Sequence, residues 1–176
     1  MKNNHNVTAF IGVGSNISPE INIENALKKL AVLVTVTGIS TFYRTKPLAG
    51  KNQDDYLNGV WRIITSVSPE ELKNSILNVI ERDLKRIRTE DTYAARTIDL
   101  DVLLYGDLVV RQTNLTIPDP DIYSRAFIAV PLYELEPDLI LPDSKKPIAE
   151  IIHALSDNTL RPENDFTRLL KRRIPL

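Results

Sequence analysis

Two acids, Asp99 and Asp101, stand two residues apart in the stretch ARTIDLDVLLYG, residues 95–106, whose other members are mostly those of a buried strand. Side chains alternate faces along a strand, so both acids share one face and Ile98, Leu100, Val102 and Leu104 share the other. Two Cα atoms at that spacing lie ~6.6 Å apart. Ionised carboxylates at that distance repel by roughly 2–3 kcal/mol at an effective dielectric near 20, a cost that a cation between them removes. Carboxylate oxygens are hard ligands suited to magnesium, which seldom has an all-protein cage and usually borrows phosphate oxygens. A same-face pair can hold two ions at the ~3.5–4 Å spacing of two-metal sites. Arg82, Lys85, Arg86, Arg88 and Arg96 lie just upstream. Acids for metal and arginines for phosphate are the equipment of nucleotide phosphoryl transfer. The plain alternative is a solvated sheet face whose acids pair with lysines. D-x-D is a common pattern, and at this level the reaction stays open.

Those residues need elements to hold them. VTAFIGVG (7–14) is a short β-rich run ending in glycines. A helix follows, with Ser18 as N-cap, Pro19 in the first turn, and an apolar face of Ile23, Ala26, Leu27, Leu30 and Leu33. Residues 34–45 read as a second strand, 46–55 as a polar loop, and 56–66 as a third strand. A second helix opens on a capping box of Ser68 and Glu71 with Pro69 at its first position. Residues 88–96 read as a charged loop before the strand that carries the acids. The order β-α-β-β-α-β predicts an α+β, ferredoxin-like sandwich with helices on one face of the sheet. C-terminal additions follow: a hairpin in 107–118, helices around 123–135 and 147–155, and a basic tail with no functional reading beyond Asp157.

Length and composition fit a single domain spanning 1–176: 43% of residues are apolar and 26% charged, enough to bury a core without staples. A net charge of −1 gives no global field toward nucleic acid or membrane, so any anion site is built locally. The absence of cysteine excludes disulfides, thiolate nucleophiles and cysteine-ligated metals. No run approaches the ~18 apolar residues of a membrane span, and the start does not resemble a secretory signal, so the expected location is the cytoplasm. His5 and His153 lie outside every motif, and no residue stands out as a general base.

RTIDLDVLLYG preceded by ERDLKRIR closely resembles the 6-hydroxymethyl-7,8-dihydropterin pyrophosphokinase family. IGVGSNI, FYRTKPLAGKNQDDYLNGV, SPEELKNSILNVIE and IPDPDIYSRAFIAVPLYELEPDLILP match in the same order, over about residues 9–143. The resemblance implies transfer of the β,γ-diphosphate of ATP to the hydroxymethyl oxygen of the pterin in folate biosynthesis, with AMP released, and the same ferredoxin-like fold. It implies ATP as co-substrate and two Mg2+ ions held by Asp99 and Asp101. Arg86 and Arg96 would act on the phosphates as a mobile loop closes. Asn78, Glu81, Arg88, Tyr93, Val102, Thr116 and Arg125 would surround the nucleotide. Thr45, Lys46, Leu48, Tyr56, Asn58 and Phe127 would take the pterin, Tyr56 and Phe127 by stacking and Asn58 by pairing with the ring edge. Core packing is the competing reading for either aromatic residue taken alone. No partner is implied beyond the two small-molecule substrates, and the expected state is a monomer.

The chain departs from the family pattern at four places. Asp119 stands where the family has histidine, so no nucleotide contact is carried over to it. Tyr93 replaces a loop tryptophan, Ala94–Ala95 replaces a Gly-Pro pair, and Lys46 stands where proline is common. Two other readings compete: a diverged enzyme acting on another pterin or alcohol, and an RNA-binding module on the same kind of sheet. The second lacks the exposed aromatic motif such modules carry and rests on the basic tail alone.

Overall fold

The computed structural model describes residues 6–47, 52–87, 91, 94–155 and 159–174. Helices pack against an antiparallel sheet whose centre is β1 (Val7–Ser15). It is flanked by β5 (Asp99–Tyr105) and β4 (Tyr56–Thr65), with Gly12 opposite Asp101 on one side and Gly14 opposite Asn58 on the other. The outer edge of β4 pairs with β2 (Thr35–Ile39) and then with β3 (Tyr43–Thr45). A two-residue β8 (Arg161–Pro162) is added to β3.

The single strand expected over 34–45 is thus two strands. Ser40 causes the break: its N–H donates to the Val60 carbonyl at 3.0 Å while its hydroxyl accepts from the Val60 N–H at 2.8 Å. The chain then turns Phe42 into the core, where it is wholly buried. Propensity alone does not register such a side-chain bond to the ladder.

The two helices of the β-α-β-β-α-β unit lie on one face of the sheet, and two of the C-terminal helices cover part of the other. On the first face, α1 (Pro19–Ala31) buries Ile23, Ala26, Leu27 and Leu30 against Ile11, Val13, Trp61, Leu100 and Val102. The second helical region joins that side. It runs as α2 (Pro69–Glu71), a π-helical stretch (Leu72–Leu77) and α3 (Asn78–Asp83). The last helix, α6 (Asn164–Arg173), inserts Leu170 there as well. Over part of the opposite face lie α4 (Ala126–Leu135) and α5 (Ile148–Leu155), packed on Phe10, Val60, Leu103 and Leu104. A small hairpin, β6 (Val110–Gln112) and β7 (Leu115–Ile117), sits beside β5.

Leu104 was expected to share the inner face with Ile98, Leu100 and Val102. Pairing of β1 with β5 shifts between Phe10 and Ile11, so Leu104 pairs with Phe10 and packs on the opposite face. A bulge of this kind adds one residue and reverses the alternation beyond it. Among the helix starts, the Ser68 hydroxyl accepts from the Glu71 N–H at 3.2 Å as a cap should. Ser18 does not cap α1: its backbone is left-handed, at φ 43°, and its hydroxyl makes no capping bond.

Candidate active site

Where the face opposite α1 is not covered by α4 and α5, it opens into a cavity of about 250 Å³. Its floor is made by alternate residues of the three central strands: Gly12 and Gly14 of β1, Asn58 of β4, Asp99 and Asp101 of β5. The glycines are needed for room. A Cβ on Gly14 would fall 2.8 Å from the Asn58 Oδ1, and one on Gly12 would press on Leu103 at 3.1 Å. Seated this way, Asn58 donates through Nδ2 to the Thr45 hydroxyl at 2.8 Å. The aromatic side chains Tyr56 and Phe127, both half-buried, form part of the wall rather than the core, together with Thr45 and the exposed Lys46.

The two acids are treated differently. Arg86 donates through Nη1 to Asp99 Oδ1, and Arg96 donates through its Nη1 to Asp99 Oδ2. Behind Arg86 sits Glu81, 2% exposed, which accepts from Arg86 and also from the Leu100 N–H at 2.9 Å. Glu81 thereby ties α3 to the strand that carries the acids. Asp101 lies one strand period away. Burial, with Asp99 and Asp119 repelling it, pushes its carboxyl up to about 7 against the weaker opposing charge of Lys73. Burial and like charge of this kind favour the neutral carboxyl. Burial likewise raises Asp119, although its Oδ1 accepts from the Asp121 N–H at 2.8 Å and so caps the short 3₁₀ turn Pro120–Tyr123. That cap gives Asp119 a local role that a sequence comparison does not reveal.

Arg125, at the start of α4, reaches the cavity wall from the other side. Its Nε is buried and makes no hydrogen bond among the described residues; the Asp121 carboxylate stands 3.7 Å away. An orphan guanidinium donor on a cavity wall suits an anionic ligand.

Of the residues singled out in the sequence, the cavity brings together Thr45, Lys46, Tyr56, Asn58, Arg96, Asp99, Asp101, Arg125 and Phe127. Leu48, Arg88 and Tyr93 lie outside the described residues. Five others do not line it. Arg86 stands behind Asp99, and Glu81 behind Arg86. Asn78 opens α3 and donates to Asn74 Oδ1 at 3.4 Å, and Thr116 sits on β7. Val102 is displaced most: its side chain is 3% exposed in the core, because one step along the strand from Asp101 turns it to the other face.

Sequence reasoning missed Asn16. This buried residue accepts the Arg96 N–H on Oδ1 at 2.8 Å and donates through Nδ2 to Gln53 Oε1 at 3.2 Å and the Asp54 carbonyl at 3.3 Å. It joins the arginine segment to the residues just before Tyr56, whose hydroxyl donates to the Ala94 carbonyl at 3.1 Å. The alternate glycines of GVGSN were the available signal, since a strand face bare of side chains marks a close approach.

The donor set fits magnesium. Two same-face carboxylates line the cavity, one of them only weakly compensated by Lys73, and no group of three or more metal-ligating side chains occurs among the described residues. Water and phosphate oxygens would then complete the coordination, as magnesium prefers. A cleft in an antiparallel sheet with paired acids and converging arginines is suited to the chemistry of a phosphoryl-transfer enzyme.

Comparison with known proteins narrows the class. Residues 10–137 match the model of the 7,8-dihydro-6-hydroxymethylpterin-pyrophosphokinase (HPPK) family, and the chain belongs to that family. It is 38% identical over 157 residues to the 2-amino-4-hydroxy-6-hydroxymethyldihydropteridine pyrophosphokinase of Haemophilus influenzae, covering 88% of this chain and 96% of that one. Against the protein of the same name from Aquifex aeolicus it is 37% identical over 156 residues, covering 88% and 94%. Among solved structures, Plasmodium falciparum HPPK-DHPS with pteroate superposes with a TM-score of 0.68 at 12% identity. That match covers 90% of this chain and 48% of the longer Plasmodium chain, and at such identity it speaks for the fold alone.

Proposed function

We propose that this protein transfers the diphosphate group of ATP to the hydroxymethyl oxygen of 6-hydroxymethyl-7,8-dihydropterin, giving AMP and the pterin diphosphate in folate biosynthesis. The observation that carries this reading is the meeting, in one cavity, of the Asp99–Asp101 pair and two arginines with Tyr56, Asn58 and Phe127. A flat ring with a donor–acceptor edge matches the second group, and a polyphosphate matches the first.

In this reading Asp99 and Asp101 hold two magnesium ions, which would supply charge neutralisation and alignment of the phosphate oxygens. Arg96 and Arg125 bind the phosphates, and Arg86 steadies Asp99 through its bond to Glu81. The two arginines now on Asp99 balance its charge in the way a metal would. Tyr56 and Phe127 clamp the pterin, Asn58 orients it, and the alcohol is set in line with the bond to AMP. Alignment of this kind supplies roughly 7–11 kcal/mol of a barrier. Arg88, Tyr93, Asn78 and Thr116 complete the nucleotide side and Leu48 the pterin side.

The strand order β5–β1–β4 with β2 and β3 on the far edge supports a ferredoxin-like topology for a single domain spanning 1–176. Among the described residues no helix is long and apolar enough to cross a membrane, and the sheet face that an RNA module would leave open is partly covered by α4 and α5. A monomer working in the cytoplasm on two small molecules follows from this reading. Incubation with ATP, Mg2+ and hydroxymethyldihydropterin should release AMP only when the pterin is present. Folded protein that releases none would overturn the assignment, and AMP release with a different alcohol alone would favour a diverged acceptor.

A further inference from the structure

The segment after Thr159 had no function in the sequence and lies beyond the 10–137 region that defines the family. It does not line the cavity, but it pairs with β3, the strand that carries Thr45 of the cavity wall. The β8 residues Arg161 and Pro162 pair with Arg44 and Tyr43 of β3, the residues directly before Thr45. Just inside this ladder, the Glu163 N–H donates to the Phe42 carbonyl at 2.8 Å, and the Phe42 N–H donates to the buried Thr167 hydroxyl at 2.9 Å. Phe166 meets Phe42 edge to face, ring centres 5.6 Å apart. These contacts satisfy the outer edge of β3, which would otherwise offer open backbone groups.

Two ion pairs extend the grip to both sides of the ring-binding wall. Glu163 holds the Arg44 Nε at 2.5 Å, and Arg44 also reaches Glu20 of α1. Arg161 pairs with Asp55, the residue directly before Tyr56. Thr45 and Tyr56 face each other as register partners in the β3–β4 ladder, and Thr45 accepts from Asn58. One C-terminal segment therefore touches the neighbour of Thr45 and the neighbour of Tyr56 at once. It makes no contact with the acid pair or with Arg125 among the bonds described.

We infer that the C-terminal segment 159–173 is a positioning element for the pterin half of the site, with Arg161 and Glu163 as its positioning residues. This rests on the reading of the cavity wall as the pterin site. The segment acts through Thr45 and Tyr56, so its loss alters capture of the ring and leaves capture of the nucleotide alone. The Arg161–Asp55 pair is the informative one to break. Arg161 is mostly exposed, and exposed ion pairs add little to folding stability, so a change in ring affinity is separable from a change in the fold.

The test uses the full chain and three variants: Arg161→Ala, Asp55→Ala, and the charge-exchanged Arg161→Asp with Asp55→Arg. Each is assayed for KM toward hydroxymethyldihydropterin, KM toward ATP, kcat and melting temperature. Either single variant should raise the pterin KM about threefold, the scale of a lost exposed pair, with ATP KM, kcat and melting temperature unchanged. The charge-exchanged variant should recover most of that loss. Unchanged pterin KM in both single variants, equal rises in both KM values, or a matching fall in melting temperature would overturn the inference while leaving the proposed reaction standing. Failure of the unaltered protein to release pterin-dependent AMP would overturn the cavity reading and this inference with it.

Discussion

On one side of the central sheet, β1, β4 and β5 present Ile11, Val13, Leu57, Trp61, Leu100 and Val102 to α1 and the second helical region, all buried. On the other side, over the same lengths of the same strands, they present Gly12, Gly14, Asn58, Asp99 and Asp101 to a cavity. The first face gains stability from every residue. The second gives some up: it carries two glycines without side chains to pack, and a carboxyl displaced to about 7 by burial and like charge. Because the faces share a backbone, the packed one fixes the spacing of the open one. A strand of period two can thus be anchor and active site together, and rigid placement on strands is what charge-based catalysis requires.

The comparison breaks most directly at neighbouring residues of β5. Asp101→Asn keeps the shape but removes the carboxylate that the proposed reading assigns to metal, and turnover should fall about 10³-fold. Melting temperature in metal-free buffer should hold or rise, since a poorly compensated charge is gone; a fall would place Asp101 among the stabilising residues. Leu100→Ala, one step away, should do the reverse. It should cost about 2–5 kcal/mol in urea unfolding, while kcat per folded molecule stays within a small factor.

Arg96→Ala tests the rim of the open face. It removes a charge-assisted partner of Asp99 and, in the proposed reading, a phosphate ligand, so kcat should fall about 10- to 100-fold. The KM for pterin should change less than that for ATP, and the reverse pattern would move Arg96 to the ring side.

The smallest effect is in pH. Folded Asp101 binds its proton more tightly than an unfolded aspartate, which titrates near 3.9. Its contribution to stability is therefore complete below about pH 4 and is lost as pH rises through about 7. Without metal, the melting temperature of the unaltered protein relative to Asp101→Asn should fall between pH 4 and 8, and Mg2+ should restore it at pH 8. A difference that stays flat with pH would mean that Asp101 is not displaced.

Much of this was legible in the residues, and the exceptions have local causes. Ile98, Leu100 and Val102 against Asp99 and Asp101 could be read from alternation alone, because the strand is regular there. Alternation failed at Leu104, where the bulge adds a residue. At Val102 alternation held, and it was the likeness between sequences, which names positions without naming faces, that set a core residue beside the nucleotide. The break at Ser40 and the cap made by Asp119 are side-chain bonds to backbone, invisible to propensity. Asn16 and Arg161 were missed for one reason: their partners lie far along the chain, at Arg96 and Asp55.

The central claim, that the open face of the sheet is a metal and nucleotide site because of its two acids, can be put to a count of bound ions. Manganese, a paramagnetic stand-in for magnesium, is titrated into the protein with a non-hydrolysable ATP analogue and followed by electron paramagnetic resonance. Two ions per chain are expected in the unaltered protein, with tight binding lost in Asp101→Asn. An equal number of ions bound with equal affinity by both proteins would contradict the account.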